Sequence, residues 1–395
     1  MQSKTASLII WMLILADVLT GLLFILGTSY YRVGLPLKSA VVFFVFFYYL
    51  RQLNRKTIQS IYLLMVILFF FWLIGSLFSF NNNPEFDYAY SLVVLNRYYF
   101  LLILALIFVD MSDREDFNDT CRNVLTAFFL MNNLIIFSGA LFHIDMFSTY
   151  DPLGEIVGDQ RFGYKGLIHG GNDVAGIYIL GMAYFFRERF KYKRPVMTML
   201  VMTTLAAVMT GTKATLLGAV GFSGYYLIKY RFQWFVILIT PMLMLAGYLA
   251  VKYWEIIKVK ILAYTLERIH TMGLLTFLMS GRNQYLERHF KFILSNWSPV
   301  NFLTGDAFLY SETDLIDLYY FFGVGLVLYL VFYSKLFFLR ERSWDQVFIY
   351  CVLLALAFTA GHIIQSAVVP LFLLLFIFSV KPDNPNDQPG HYRIG

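Results

Sequence analysis

Residues 161–173 read Arg-Phe-Gly-Tyr-Lys-Gly-Leu-Ile-His-Gly-Gly-Asn-Asp and pass directly into the apolar stretch 174–186. Arg161 and Lys165 offer positive charge for an anion. His169, Asn172 and Asp173 offer a titratable ring, an amide and a carboxylate. An apolar helix rarely opens with that density of polar groups unless something polar docks there. On a helix beginning near 167, His169 stands at i,i+3 and i,i+4 from Asn172 and Asp173, so the three share a face. His169 reads equally as a base or as a packed hydrogen-bonding ring, and Arg161 also reads as a solvated loop residue. A second polar turn, Thr210-Gly-Thr-Lys213, opens another apolar run. A cation at a helix N-terminus opposes the macrodipole unless an anion sits there, so Lys165 and Lys213 together argue for a bound phosphate or diphosphate. Each lysine alone could equally snorkel to lipid headgroups.

Other candidates follow along the chain. Asn96 and Arg97 lie in an apolar run and extend the same cluster. Asp17 and Lys38 sit inside apolar runs, where an interhelical pair is the expected role. From Gly281 to Trp297, Leu286, Phe290, Ile293 and Trp297 form an apolar stripe at helical spacing. Glu287 and Lys291 lie opposite as an i,i+4 pair. Arg282 and His289 border the stripe, so a helix lying on the membrane surface would point them at the headgroup level. Asp306, Glu312, Asp314 and Asp317 make an acidic stretch that is a solvated surface, a sugar-binding group or the source of a base. His362 follows Gly361 in a late turn. No metal-ligand spacing, P-loop, dinucleotide fingerprint or nucleophile elbow occurs, and Cys121 and Cys351 read as buried thiols.

The elements that must position these residues are apolar helices. Hydrophobic residues make up 59% of the 395, charged residues 14% and aromatics 19%. A helix needs roughly 20 apolar residues to cross a bilayer. The chain is therefore expected to be an all-α polytopic membrane protein with about twelve spans, near 7–27, 34–50, 58–80, 88–109, 119–142, 167–186, 195–210, 213–229, 232–251, 316–337, 345–362 and 364–380. Arg51, Arg55, Lys56, Arg187, Arg189, Lys191, Lys193, Arg194, Lys229, Arg231, Arg340 and Arg342 all follow even-numbered spans. Short basic loops stay cytoplasmic, which places both termini inside and the long loop 252–315 outside. Residues 1–380 form a single membrane domain, and the Pro- and Asn-rich 381–395 is expected to be a disordered cytoplasmic tail. The net charge of +6 reports loop orientation and gives no ground for nucleic acid.

Several of these features together resemble the bacterial O-antigen polymerase and O-antigen ligase superfamily, the Wzy-type membrane glycosyltransferases. The resembling residues are Arg161-Phe-Gly with His169-Gly-Gly-Asn-Asp opening a span, Thr210-Gly-Thr-Lys213, and Ser280-Gly-Arg282. Leu303-Thr-Gly-Asp306, Asp317 with Phe322-Gly-Val-Gly325, and Gly361-His362 follow. They cover roughly residues 155–380. Arginines in two outer loops with a glycine about ten residues on mark the family. Arg161 followed by Gly170 and Gly171 matches, and Arg282 lacks that glycine.

The resemblance implies a metal- and cofactor-independent glycosyl transfer at the outer side of the bacterial inner membrane, from an undecaprenyl-diphosphate-linked glycan. The products would be O-antigen, capsule or exopolysaccharide, and a chain-length regulator and flippase would be pathway partners. Arg161 and Arg282, helped by Lys213 and Lys165, would hold the diphosphate. His169, His362 or Asp306 would serve the acceptor hydroxyl, and Asn172, Asp173 and Asp314 would bind glycan. A ligase acting on lipid A core, a transporter or flippase, and a non-catalytic assembly subunit are the competing expectations.

Overall fold

A computed structural model describes residues 3–25, 34–149 except 54, 83–85, 113 and 115, and 163–230 except 169. It also describes 266–380 except 267–268, 272, 275, 277–278, 280, 308, 360, 362 and 367. The helices are α1 (Ser3–Ile25), α2 (Gly34–Leu50), α3 (Lys56–Asn82), α4 (Tyr88–Met111), α5 (Phe117–Phe142), α6 (Gly171–Phe190), α7 (Met197–Met209) and α8 (Lys213–Tyr230). They continue with α9 (Arg282–Asn296), α10 (Pro299–Thr304), α11 (Asp314–Phe322), α12 (Gly325–Phe337), α13 (Trp344–Thr359) and α14 (Val369–Phe378). No β-strand occurs among the described residues. Three stretches, Lys56–Phe80, Tyr88–Met111 and Phe117–Phe142, are long and apolar enough to cross a membrane, and several shorter apolar helices accompany them.

The core forms where apolarity runs all round the helix rather than along one stripe. Every residue of α14 from Val369 to Phe378 is buried, as are 174–187 of α6 and Phe100–Phe108 of α4. α14 packs against α4, α5 and α6, while α7 and α8 flank α6. Large apolar side chains stay exposed on the peripheral helices, among them Phe43, Phe44 and Phe47 of α2, Leu63 and Phe70 of α3, and Leu217 and Val220 of α8. Apolar surface on that scale needs a nonaqueous cover. Cys121 is buried as expected, but Cys351 is exposed on α13.

Three sequence expectations change. First, the run 316–337 is two helices. Gly323 breaks it with φ +53°, and a Cβ there would collide with the Leu303 carbonyl oxygen. That carbonyl instead accepts from Val324 N at 2.9 Å. Gly305, at φ +79°, is pressed against the Tyr320 carbonyl in the same way, and Asp306 N donates to that carbonyl at 2.8 Å. Side-chain-free backbone is thus what lets segment 303–307 wedge between α3, α4 and α11. Second, α6 starts at Gly171 rather than 167, because Gly166 (φ +65°) turns the chain against Asn132, whose Oδ1 accepts from Leu167 N at 2.7 Å. Asn172 and Asp173 stand in the first turn of α6, while His169, expected to share their face, lies outside the described residues. Third, α14 begins at Val369, and 363–366 is irregular. Run 232–251, tail 381–395 and all of 253–268 but Leu266 lie outside the described residues.

Candidate functional site

The polar residues sort into two groups at one end of the bundle, joined by segment 363–366. The first group surrounds Lys165. Segment 163–165 is docked by backbone bonds: Thr149 N to the Gly163 carbonyl at 2.9 Å, Tyr164 N to the Met209 carbonyl at 2.9 Å, and Lys165 N to the Phe147 carbonyl at 2.7 Å. Thr149 Oγ1 donates to the Thr210 carbonyl at 3.0 Å, while the Thr210, Thr212 and Thr215 hydroxyls bond one another. The Lys165 loop and the Thr210–Lys213 turn, remote in sequence, are therefore one surface. Lys213 is exposed at the first residue of α8, and Lys165 is buried at 4% exposure.

Burial lowers the Lys165 ammonium from its ordinary value, and the Asp17 carboxylate acts in the opposite sense. Asp17 pairs with Lys38 at 3.2 Å, both side chains buried, as expected of an interhelical pair. Asp173 lies in the field of Asp17, Lys38 and Arg97 and is hydrogen-bonded by Ser366. Lys165, Lys38 and Arg97 thus gather about Asp17 and Asp173, with Asp17, Lys38 and Lys165 buried and Arg97 and Asp173 half-buried. Asn172, on α6, is exposed to solvent.

The second group is built on α9–α11. Arg282, expected at headgroup level, is 8% exposed and pairs with Glu312 at 3.4 Å. The expected stripe on α9 splits: Ile293 and Trp297 pack on Tyr319 and Tyr320, while Phe290 faces outwards. The expected Glu287–Lys291 pair is present at 2.8 Å. His289 stacks edge-on to Tyr320, and burial, then Arg288, lowers its pKa and favours the neutral ring.

Asp306 accepts from Trp297 Nε1 at 2.8 Å and from Leu309 N at 3.1 Å, so each oxygen holds a structural bond. Asp314 accepts from the backbone of Ile363 and Ile364 through Oδ2. Asp317 accepts through Oδ1 from the Ser311 hydroxyl at 2.7 Å and from Ser311 N. Segment 363–366 therefore ties the groups together, since Ser366 reaches Asp173 while Ile363 and Ile364 reach Asp314. Gly361 (φ +64°) sits against the Glu312 carbonyl.

Arg161, His169 and His362 lie outside the described residues. Among the described residues, no three His, Cys, Asp or Glu side chains group as metal ligands. Sequence reasoning overlooked Ser366 and Gln365, which sit in a stretch read as helix. Ser-Ala-Val-Val-Pro at 366–370 carried the signal, with Ser366 accepting from Val368 N and Val369 N at the start of a Pro-containing helix.

The chain matches no protein-family profile, no curated protein and no solved structure.

Proposed function

We propose that the protein is a membrane polysaccharide polymerase of the O-antigen, capsule or exopolysaccharide type. It transfers glycan from an undecaprenyl-diphosphate donor to a sugar hydroxyl of a lipid-linked acceptor, outside the cytoplasmic membrane. The twelve spans and cytoplasmic termini belong to the same reading. The observation that carries it is the meeting of the Lys165 loop, the Thr210–Lys213 turn and the Asp314 region at the start of α14. Lys213 and Arg282 at helix N-termini, with Lys165 in the loop docked beside Thr210, suit a pyrophosphoryl group, whose release needs charge stabilisation. Arg161, Arg282, Lys213 and Lys165 hold the diphosphate, Asn172, Asp173 and Asp314 face the glycan, and no metal is used. His169 or His362 serves the acceptor hydroxyl, and Asp306, whose oxygens already bond Trp297 and Leu309, acts by holding the loop.

Vesicles carrying the protein and the host's own undecaprenyl-diphosphate oligosaccharide test this. Wild type should lengthen the oligosaccharide into a ladder on the lipid carrier. Arg161→Gln or Arg282→Gln should abolish the ladder without loss of folded protein. Full-length polymer from both variants overturns the site, and glycan appearing on lipid A core marks a ligase. The broken run α11–α12 and the buried Asp17–Lys38 pair favour a second reading, a transporter or flippase of the lipid-linked oligosaccharide. Flux of labelled oligosaccharide without chain growth would select it.

A further inference from the structure

Behind the acidic stretch lies a cavity of about 10 Å³, lined by Tyr98, Tyr310, Asp317 and Gln365, with Tyr90 also on its wall. That is close to the space one water molecule requires. Three lining side chains each bring an orphaned polar atom: Asp317 Oδ2, Tyr98 Oη and Gln365 Nε2 have no hydrogen-bond partner among the described residues. Their residues are 2%, 0% and 2% exposed, and Asp317 is the carboxylate acting most strongly on the Tyr98 phenol. A buried polar atom without a partner destabilises the fold, so three around one cavity need a common partner. The set is one acceptor, one amide donor and one phenol. It complements a single water that receives from Gln365, donates to Asp317 and to the Tyr98 oxygen, and keeps one lone pair for a further donor.

The cavity also adjoins the candidate site. Tyr310 is raised by burial first, then by the carboxylates of Asp317, Glu312 and Asp314. Glu312 is the partner of Arg282, and Asp314 anchors the backbone at Ile363 and Ile364. Of the acidic stretch, Asp317 Oδ2 is the carboxylate oxygen left buried without a hydrogen bond among the described residues.

We infer that this cavity holds one water and that Asp317, through that water, accepts the proton of the acceptor hydroxyl; the role rests on the polymerase reading above. In the transfer step the acceptor O–H breaks and its oxygen bonds the anomeric carbon. The bond from that carbon to the diphosphate breaks, and its electron pair leaves on the diphosphate. The released proton passes to the water, which hands one of its own to Asp317. Tyr98 and Gln365 are positioning residues that hold the water.

Initial rates in the vesicle assay, measured from pH 5 to 9, test the role. Asp317→Asn should lower kcat at least a hundredfold, leave KM within about threefold, and remove the acidic limb of the pH profile. Tyr98→Phe should lower kcat about tenfold with the limb retained. Retention of more than a tenth of wild-type kcat by Asp317→Asn, or of its acidic limb, overturns the inference.

Infrared difference spectra of the purified protein address the site without glycan. A carboxyl band absent from Asp317→Asn should shift in Tyr98→Phe and in Gln365→Leu, and on exchange into H₂¹⁸O. A band indifferent to both neighbours and to the water isotope overturns the water site even if polymer forms. The expected band in a wild-type protein that transfers no glycan overturns the polymerase reading and the proton's source, while the water site stands. Should Asp317→Asn not fold, the Tyr98→Phe and Gln365→Leu spectra and rates decide.

Discussion

At the scale of the residue, Lys165 separates a binding role from a structural one. An ammonium at 4% exposure costs stability unless it is compensated, and burial outweighs Asp17 in setting its pKa. Lys165→Met should therefore leave stability within about 1 kcal/mol of wild type or raise it. Donor affinity, measured on the extracted lipid-linked oligosaccharide, should fall at least tenfold, about 1.4 kcal/mol. The folded-state value lies below the unfolded one, so wild-type stability rises with pH through the interval just under 10.5, and Lys165→Met flattens that rise. Thermal unfolding between pH 8 and 11 checks this. A large loss of stability with donor affinity intact would make Lys165 a counter-ion of Asp17.

At the scale of the element, the glycines of 303–325 hold the structure that positions Asp306, Asp314 and Asp317. Gly323→Ala puts a Cβ against the Leu303 carbonyl at φ +53°, which neither backbone can vacate without losing the Val324–Leu303 bond. It should cost 2 kcal/mol or more, by roughly the sum of a left-handed alanine and a lost buried bond. Gly221→Ala is the control. Its Cβ meets nothing within 4 Å on α8, so it should stabilise by about 0.5–1 kcal/mol. Melting temperatures of the two variants in one detergent make the comparison. The sequence showed both motifs, Leu303-Thr-Gly-Asp306 and Phe322-Gly-Val-Gly325, but hydropathy read the second as mid-helix. Apolar residues on both sides of Gly323 hide the break, because a break inside protein leaves no polar trace when the facing backbone supplies the hydrogen bonds. The same blindness affected 363–366, where Asp314 accepts from Ile363 N and Ile364 N in place of helical carbonyls.

At the scale of the whole molecule, helix positions were legible because long apolar runs admit little else, and the docking of 163–165 beside Thr210 is compatible with that helix order. The second polar end was read for charge alone. Arg187 and Arg340 were counted as basic loop residues, yet both are buried. Arg187 donates to the Phe376 carbonyl at 2.9 Å and to Ser379 Oγ at 2.8 Å, and Arg340 donates to the Ser112 carbonyl at 2.7 Å. Glu341 gathers Lys191 at 2.7 Å, Tyr192 at 2.9 Å and Arg187 at 3.8 Å, so it clamps the end of α6 to the link between α12 and α13. Periodicity does not reveal such a network, since its members come from loops distant in sequence. Burial alone would raise the Glu341 carboxyl, but Arg187 and Lys191 together bring it below its ordinary 4.5. A depressed folded-state value means the contribution is whole above that pH and fades as pH falls through the folded value. Glu341→Gln should lower stability at pH 7 by about 3–5 kcal/mol, since Arg187 is left buried with its carboxylate removed. The gap from wild type should close as pH falls from the ordinary 4.5 through the lower folded-state value, because protonated Glu341 no longer pairs either. Thermal unfolding of both proteins from pH 7 to 3 reads the result. A gap that stays constant in acid would show that Glu341 acts through its hydrogen bonds rather than its charge, and the clamp would then be a packing contact.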